Sequence, residues 1–596
     1  MILEWLAREG GYILSWWALA TLMGAAALPL CWRLLGGLPD RGYTLARAAG
    51  VLLTGYVFWL LGNFGFVRNT PGSIVLAWLI VLIIALVAHF TRREAFDLRA
   101  WWRDNRAVII TGELLFIGLL VAWAIVRAHL PDTSTTEKPM DLMFMSAIMR
   151  SETFPPNDAW MASYAISYYY FGYFMAAMFG KLSGAASTIA YSMNIAMLFA
   201  LTALGAFGVV YNLVRGRLTP ARDGAHVRPS SAAALLTGLL AAVFVALLGN
   251  FQAPLIEAPY QSRTASEAYL AFWDTQERDV YPERMTAQSG GIADDQPITL
   301  DPGQDMLSPA FRSYWWWFRG SRVIQDRDLN GESIGVQPID EFPQFSFILA
   351  DSHPHVMALP YVLLAIGLAL NVMLRGRAPN RGEIIFYALA IGGLIFLNTW
   401  DGPIYLLALI GAEVVRRLIA RGTSGGVLGI GDWLSMAGFG IAVLVLAAIF
   451  YLPFLIGFRS QAAGLLPNAA YPTLFRQYFI MFGPFVLILV AYLAVEAWRG
   501  RGRMNWRLGG QVVVAILAAI LVLALLLVFF LVIASNRGDA SASIWLNQIP
   551  EIIVKRLTHG LTSAVLLAGI TVIVARLFAR RGETNGAAYN ASTGFT

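Results

Sequence analysis

Two histidines and an aspartate offer the most specific chemistry in the sequence. Asp351, His353 and His355 alternate in FSFILADSHPHVMALP, directly before an apolar run, with Asp340 and Glu341 shortly before them. In an extended segment this alternation places three side chains on one face. Aspartate and histidine bind Mg, Mn or Zn, and ionisable groups entering a membrane segment are usually functional. The spacing therefore predicts a metal or substrate contact; interfacial histidines that only pack and hydrogen-bond are the alternative.

Carboxylates also cluster between residues 129 and 160. Glu137 and Asp141 lie four residues apart, and Pro139 suits the first turn of a helix that carries Asp141 near its start. Acidic groups at a water–lipid boundary can act as a general base or bind a divalent cation. Glu137 and Asp141 are therefore the candidate catalytic residues, and Lys138 is a candidate phosphate contact. Helix capping, ion pairing and solvated loop charge are the alternatives.

The candidate substrate-binding residues are aromatic or charged and lie near predicted membrane boundaries. They are Lys138, Tyr168, Tyr169, Tyr170, Arg312, Trp316, Trp400 and Asp401. Aromatic rings and hydroxyls suit a sugar or a polyprenyl chain, and arginine can hold a phosphate through two hydrogen bonds. The alternative is structural, because tyrosine and tryptophan are expected at membrane interfaces and Asp401 ahead of Pro403 can cap a helix.

The elements that must position these groups are membrane helices, because the composition excludes a soluble globule. Of 596 residues, 58% are hydrophobic and 13% are charged, whereas soluble domains average ~45–50% and ~25%. The single cysteine, Cys31, excludes a disulfide framework, a cysteine zinc cluster and an iron–sulfur site. No P-loop or Rossmann glycine motif is recognisable, so a divalent metal is the one cofactor predicted. Nucleic acid is not expected as a partner, because membrane topology explains the basic residues.

Apolar runs of roughly the 20 residues that cross a bilayer recur about thirteen times. They lie at about 11–32, 48–67, 72–90, 107–128, 188–214, 232–250, 356–374, 383–400, 403–420, 433–457, 476–497, 511–534 and 558–577. The sequence thus predicts an all-α polytopic membrane protein whose first helix is retained. The predicted regions are a three-helix segment (1–106), the start of a core (107–250), an acidic loop domain (251–355), a C-terminal membrane core (356–577) and a disordered cytoplasmic tail (578–596).

Arginine clusters predict the orientation in the plasma membrane, because basic loops stay cytoplasmic. The clusters agree with one another only if segment 166–182 does not span, so we expect an amphipathic helix in the outer interface there. The N-terminus is then outside and the C-terminus cytoplasmic. Residues 251–352 hold 16 acidic and 7 basic side chains, a net −9, while the whole chain carries +6 and the remainder therefore +15. Acidic groups mark the outer face.

Four sequence blocks together resemble one family. TEKPMD, SYYYFGY, FSFILADSHPHVMALP and NTWDGP follow the order found in the YYY-domain membrane proteins, an uncharacterised family named for its tyrosine triplet. The resemblance covers about residues 130–575, and its four ordered blocks make it specific. It implies a membrane protein but no reaction.

A more distant resemblance is to the GT-C membrane glycosyltransferases, such as protein O-mannosyltransferases and lipid A aminoarabinose transferases. A span followed by an acidic outer loop, an interfacial helix and another span is similar to the start of those enzymes. Asp141 lies nine residues before Arg150, similar to the spacing that follows their Asp-Glu pair. Here residue 142 is leucine, so Glu137 would replace the adjacent glutamate, and the tyrosine run replaces their His-Pro-Pro-Leu motif.

The GT-C resemblance implies transfer of a sugar from a polyprenyl-phosphate-linked donor to an acceptor outside the cytoplasm. Asp141 or Glu137 would act as the general base or bind the metal. Asp351, His353 and His355 would hold a metal or the donor phosphate. Two alternatives stay open. One is a transporter or flippase, whose site would more often lie at the bilayer midplane; the other is a non-catalytic scaffold that docks partners through residues 251–355.

Overall fold

Helices make up nearly all of the chain that the computed structural model describes, which is residues 2–91, 96–216, 219–220, 226–227, 229–262, 264–273, 316–329, 332, 334, 338–422, 428–459 and 470–577. The α-helices are α1 (Ile2–Leu34), α2 (Ala46–Asn63), α3 (Pro71–Phe90), α4 (Leu98–His129), α5 (Lys138–Arg150), α6 (Phe171–Ser183), α7 (Ser187–Gly216), α8 (Ser231–Ala246), α9 (Ala258–Gln261), α10 (Glu267–Trp273), α11 (Pro343–Leu349), α12 (Pro354–Leu374), α13 (Arg381–Leu397), α14 (Asp401–Gly422), α15 (Ile430–Phe450), α16 (Leu452–Gly457), α17 (Phe475–Gly500), α18 (Trp506–Asn536), α19 (Ala540–Asn547), α20 (Ile549–Thr558) and α21 (Leu561–Leu577).

Short elements complete the described chain. They are two 3-10 helices (Tyr43–Leu45 and Trp316–Ser321), one π-helix (Ala253–Glu257) and the antiparallel strands β1 (Thr219–Pro220) and β2 (His226–Val227), in which Thr219 pairs with Val227. The all-α prediction is therefore confirmed, apart from this two-residue ribbon.

Nine described helices are long and apolar enough to cross a membrane. They are Ala7–Leu34, Tyr43–Asn63, Pro71–Phe90, Leu98–His129, Ser187–Gly216, Pro354–Leu374, Ile430–Phe450, Phe475–Gly500 and Trp506–Asn536. A tenth is possible if α20 and α21, which meet at 62°, form one broken span. The other predicted runs correspond to α8 with 16 residues, α13 with 17, and the charged α14. A multi-pass protein is confirmed, and the count of thirteen is not.

Helix boundaries follow local chain chemistry. The side chain of Thr70 accepts a hydrogen bond from the Ser73 amide at the start of α3, and Pro71 occupies its first turn. Asn380 and Glu383 form a reciprocal capping box at the start of α13. Such caps satisfy amides that would otherwise be unpaired at a helix end.

The core surrounds α7, in which 89% of the residues of the apolar window are buried. It packs against α4, α8 and α12, while α1, α2 and α13 close the other sides of the same apolar cluster. By contrast, no residue in the apolar window of α18 is buried. An apolar surface of this extent is stable only against lipid or another protein.

Helix α6 differs from the predicted amphipathic interfacial helix. Its 13 residues are too few to span a bilayer, as expected, yet residues 171–180 are all buried. The helix packs against α5 and α7 inside the protein. A helix that is apolar on every side has no polar face to hold it at a lipid surface, so it is enclosed by other helices. The predicted surface position is therefore wrong.

The two ends of the bundle carry different residues. At one end Arg33 donates to the Ala88 carbonyl and Arg375 donates to the Leu34 carbonyl at 2.9 Å, which joins the C-terminal ends of α1, α3 and α12. The N-terminal end of α12 and the C-terminal end of α4 lie at the opposite end, together with α5. The candidate carboxylates and histidines are thus at the end opposite these arginines; the membrane orientation itself stays a prediction.

A close helix crossing gives a first testable consequence. At Gly50 of α2 an added Cβ would clash with the main chain of Met23 in α1. Gly50→Ala is therefore expected to destabilise the protein by about 1–3 kcal/mol, because backbone atoms cannot move aside as a side chain can. At Gly118 of α4 an added Cβ meets no atom within 4 Å, so Gly118→Ala is the matched control. Equal melting temperatures for the two variants in detergent would contradict the crossing.

Candidate functional site

Two segments in unusual backbone conformations bring the candidate carboxylates together. The loop after α4 turns at Thr136, and α11 ends at Ala350; both are non-glycine residues with φ of 58°. Such residues cost of order 1–3 kcal/mol each and concentrate at functional sites. Thr136 Oγ1 donates to Asp351 Oδ2 at 3.0 Å, which ties the first segment to the second. Thr136 and Asp351 are 215 positions apart in the sequence, and no sequence pattern predicts this contact.

Asp141 and Asp351 form a buried carboxyl pair, and their exposed fractions are 0% and 6%. Tyr173 donates to Asp141 Oδ1, and Tyr191 lies 3.4 Å from Asp141 Oδ2. The Glu137 amide approaches Asp351 Oδ2 at 3.4 Å. The remaining oxygen, Asp351 Oδ1, is buried and has no donor among the described residues unless Asp141 carries a proton. Asp141 and Asp351 interact through their side chains, and a proton held by Asp141 allows a hydrogen bond between the two carboxyls.

The charge state of this pair follows from its surroundings. Burial raises the pKa of Asp141 to about 10, with the hydrogen bond and the charge of Asp351 acting in the same direction. At neutral pH Asp141 is therefore protonated and can donate to Asp351. A general base must be ionised and able to reach the proton that it removes. Asp141 meets neither condition, so the predicted role of general base does not fit it, and its place is in positioning Asp351.

A second group, the His–Glu chain, consists of Glu137, His353, His355 and Glu341. Glu137 Oε2 lies 2.6 Å from His353 Nε2, and the Nδ1 atoms of the two histidines are 2.9 Å apart. His355 Nε2 lies 3.1 Å from Glu341 Oε2. The Glu137 side chain is 56% exposed. This chain, unlike the carboxyl pair, is open to a ligand.

The contacts of the His–Glu chain restrict which ring nitrogens of His353 and His355 can carry protons. Burial alone lowers the pKa of His353, but its hydrogen bond to Glu137 and the nearby carboxylates raise the pKa above the usual value. The hydrogen bond from His353 in turn lowers the pKa of Glu137. The Nε2 atoms of His353 and His355 can donate to Glu137 and Glu341, and the contact between their Nδ1 atoms needs one ring to donate and the other to accept. The chain can therefore pass a proton between two carboxylates.

The predicted face shared by Asp351, His353 and His355 is not present. Asp351 turns toward Asp141, whereas both histidines turn toward glutamates. The extended geometry needed for alternation is interrupted on both sides, because Ala350 has a positive φ and α12 begins at Pro354. Among the described residues no three His, Cys, Asp or Glu side chains are arranged to hold a metal ion. The divalent metal stays a prediction, and no step below depends on it.

The tyrosine triplet divides between the site and the core. Tyr168 stacks on Phe144, and its hydroxyl is 3.5 Å from His353 Nε2. Tyr169 packs against an aromatic ring of the segment after α16. Tyr170 is buried and accepts a hydrogen bond from Trp59 at 3.0 Å. The substrate-binding role predicted for Tyr170 therefore does not fit, because the ring is inside the aromatic core.

Charged candidates also differ in their positions. Lys138 is buried, and its ammonium donates to Thr135 Oγ1 at 3.2 Å and approaches the Asp132 carbonyl. It therefore holds the loop together rather than facing the exposed His–Glu chain. Asp401 begins α14, accepts from the side chain of Asn398 at 3.2 Å and lies within electrostatic range of His355.

Three predicted substrate-binding residues remain, and they are Trp400, Arg312 and Trp316. Trp400 is exposed beside Asp401. Arg312 lies outside the described residues. Trp316 begins the 3-10 helix Trp316–Ser321, and its side chain is outside what the structure describes.

Sequence reasoning missed Thr136, Tyr173 and Tyr191. Tyr173 lies one helical turn after Tyr170, so a search along one helix face could have found it. Tyr191 sits within the apolar run of α7, and Thr136 within a polar loop. Neither position has a pattern that distinguishes it. Both acquire their role through contacts with residues 50 or more positions away along the chain.

The Glu137–His353 contact predicts a titration effect. In Glu137→Gln the pKa of His353 should fall, because the charge that raises it is lost. Neutral imidazole reacts with diethyl pyrocarbonate, so the pH midpoint of His353 modification is expected to move downward. Mass spectrometry of the modified peptide can separate His353 from His355. Glu152→Gln, an exposed change shortly after the end of α5, is the control. An unchanged midpoint in Glu137→Gln would count against the contact.

Comparisons with known proteins identify the family of the chain but give no information on a reaction. Residues 53–592 match the family of uncharacterized membrane proteins DUF2298. No curated protein and no solved structure matches the chain. The resemblance to the uncharacterised YYY-domain membrane family is thereby confirmed, whereas no match supports the GT-C resemblance. Because the match covers nearly the whole sequence, the chain belongs to the DUF2298 family of uncharacterized membrane proteins.

Proposed function

We propose that the protein is an integral membrane glycosyltransferase that uses a polyprenyl-phosphate-linked sugar donor. The observation that carries this proposal is the exposed His–Glu chain directly beside the buried Asp141–Asp351 pair. An ionised carboxylate held by a histidine is suited to accept a proton from an acceptor hydroxyl. The position of both groups at the end opposite the arginines supports transfer on the extracytoplasmic side of the membrane.

The reaction requires little more than positioning and one proton acceptor. An acceptor hydroxyl oxygen attacks the anomeric carbon, the bond from that carbon to the phosphate oxygen breaks, and polyprenyl phosphate leaves with the electron pair. Glu137 takes the hydroxyl proton. Because phosphate is a good leaving group, orientation and charge stabilisation account for most of the catalysis.

The neighbouring groups have supporting roles in this proposal. His353 orients Glu137 through the 2.6 Å contact, and His355 connects it to Glu341. Asp351 binds the Glu137 amide and Thr136, which fixes the start of α5. Tyr168 offers a ring and a hydroxyl at the entrance of the His–Glu chain. These contacts restrict the rotamers that Glu137 can adopt, which is the usual requirement of a catalytic group.

The proposal is tested with purified protein in lipid nanodiscs and radiolabelled polyprenyl-phosphate sugars. The expected result is release of polyprenyl phosphate and appearance of the label in an acceptor, both dependent on protein. Hexosyl and pentosyl donors should be tried separately, with a membrane extract as the source of acceptor. Absence of turnover with every donor would overturn the proposal. Uptake of free sugar by proteoliposomes that lack any donor lipid would instead favour a transporter.

A further inference from the structure

A cavity of about 370 Å³ lies between the N-terminal ends of α1 and α7 and the C-terminal end of α4. Arg127 lines it from the last turn of α4, and Thr188 and Ser192 line it from α7. Tyr12 and Ile189 add an aromatic and an apolar surface. The size is within the range of small-ligand sites, and hydroxyls beside apolar groups suit an amphipathic ligand.

Arg127 is the unusual feature of this cavity. Its side chain is 2% exposed, and its Nε and Nη2 atoms have no hydrogen-bond partner among the described residues. Asp132 and Tyr191 are within electrostatic range of the guanidinium but neither is bonded to it. A buried cation without hydrogen bonds is costly, so such groups are normally paired. An anion that enters the cavity and draws the guanidinium toward it would supply the missing hydrogen bonds.

The other charges at the cavity do not supply that anion. Glu9 lines the cavity, but its carboxylate pairs with Arg8 at 2.8 Å near the surface. Lys138 adds a second positive charge within electrostatic range of Arg127. A planar guanidinium forms two parallel hydrogen bonds with phosphate, and hydroxyls from threonine and serine can complete the site.

We propose that this cavity binds the phosphoryl group of a membrane lipid, with Arg127 as its principal contact. The apolar lining from α1 and α7 would accommodate the part of the lipid nearest the headgroup, because this end of both helices borders the membrane. The proposal does not depend on sugar transfer, since a phospholipid and a polyprenyl phosphate present the same chemistry to Arg127.

The test compares two lipids that differ only in the phosphate. Delipidated protein in detergent receives phosphatidic acid or the diacylglycerol with the same acyl chains, and native mass spectrometry counts bound lipid while the melting temperature is followed. Phosphatidic acid should bind at one site and raise the melting temperature, whereas diacylglycerol should not. Inorganic phosphate is tested separately. A rise in melting temperature with phosphate as well indicates a site for the free anion. A rise with phosphatidic acid alone indicates a site for a lipid headgroup.

Substitutions of Arg127 test whether this residue is the principal contact of the bound lipid. Arg127→Gln is expected to lower phosphatidic acid occupancy at least tenfold, whereas Arg68→Gln, which removes an exposed arginine near the same end, should not. In the lipid-free state Arg127→Gln should melt at the same temperature as wild type or higher, since it removes an unpaired buried charge. If Arg127→Gln does not fold, Arg127→Met is used for the same binding measurement. Glu137→Gln should bind normally, which separates failure of this site from failure of the proposed function. Undiminished binding in both Arg127 variants would overturn the proposal.

Discussion

Glu137→Gln is expected to slow sugar transfer from a polyprenyl-phosphate donor by about 100- to 10,000-fold. This is the usual contribution of a general acid or base. Glutamine keeps the shape of glutamate but cannot accept the hydroxyl proton as a carboxylate does. Because Glu137 is exposed at the start of α5 and not part of the core, the variant should fold normally. Single-turnover rates with saturating donor measure the loss directly.

The control for this loss is a carboxylate of the same segment that lies outside the His–Glu chain. Glu152 is exposed after the end of α5, and Glu152→Gln should leave transfer unchanged. His353→Asn should reduce the rate less than Glu137→Gln, because it removes the group that orients the base and not the base itself. Wild-type turnover in Glu137→Gln would reject the proposed base. A loss of equal size in Glu152→Gln would point to a general electrostatic effect.

The helical membrane architecture could be predicted because it depends on composition and on the length of apolar runs. Every predicted run corresponds to a described helix, and the runs that fall short of a span are those with a charged or short helix, such as α14 and α8. The burial of α6 could not be predicted in this way. Hydrophobicity indicates that a helix avoids water but does not distinguish lipid from the protein interior.

Residue types indicated two segments that the structure brings together, but not the partners of their side chains. The spacing of Glu137 and Asp141 predicts that their side chains act together. In the structure Glu137, the N-cap of α5, is exposed, whereas Asp141 faces inward and accepts a hydrogen bond from Tyr173. The alternation predicts one face for Asp351 and His353, but Asp351 accepts from Thr136 whereas His353 contacts Glu137. In both cases the partners are set by packing between distant segments. A single sequence carries no direct information on such contacts.

A carboxyl group that is neutral in the folded protein makes stability depend on pH in a characteristic direction. The ordinary pKa of an aspartate is 3.8, and in the folded protein the pKa of Asp141 is about 10. Below pH 4 the group is protonated in both the folded and unfolded states. Between these two values only the folded state holds the proton. The stabilisation that Asp141 contributes is therefore at its maximum at low pH. The free energy of unfolding falls by up to about 1.4 kcal/mol per pH unit as the pH rises toward 10.

Asp141→Asn should remove this dependence, because asparagine stays neutral and its amide can still donate to Asp351. We expect the melting temperature of the variant, relative to wild type, to rise steadily from pH 5 to pH 9, with a difference in stability of about 2–4 kcal/mol between pH 5 and pH 8. Asp104→Asn makes the same chemical change at an exposed position and should give a curve parallel to wild type. Parallel curves for Asp141→Asn as well would mean that Asp141 is ionised in the folded protein. In that case the buried pair would need a cation between its two carboxylates, and the metal predicted from the sequence would belong there and not at the histidines.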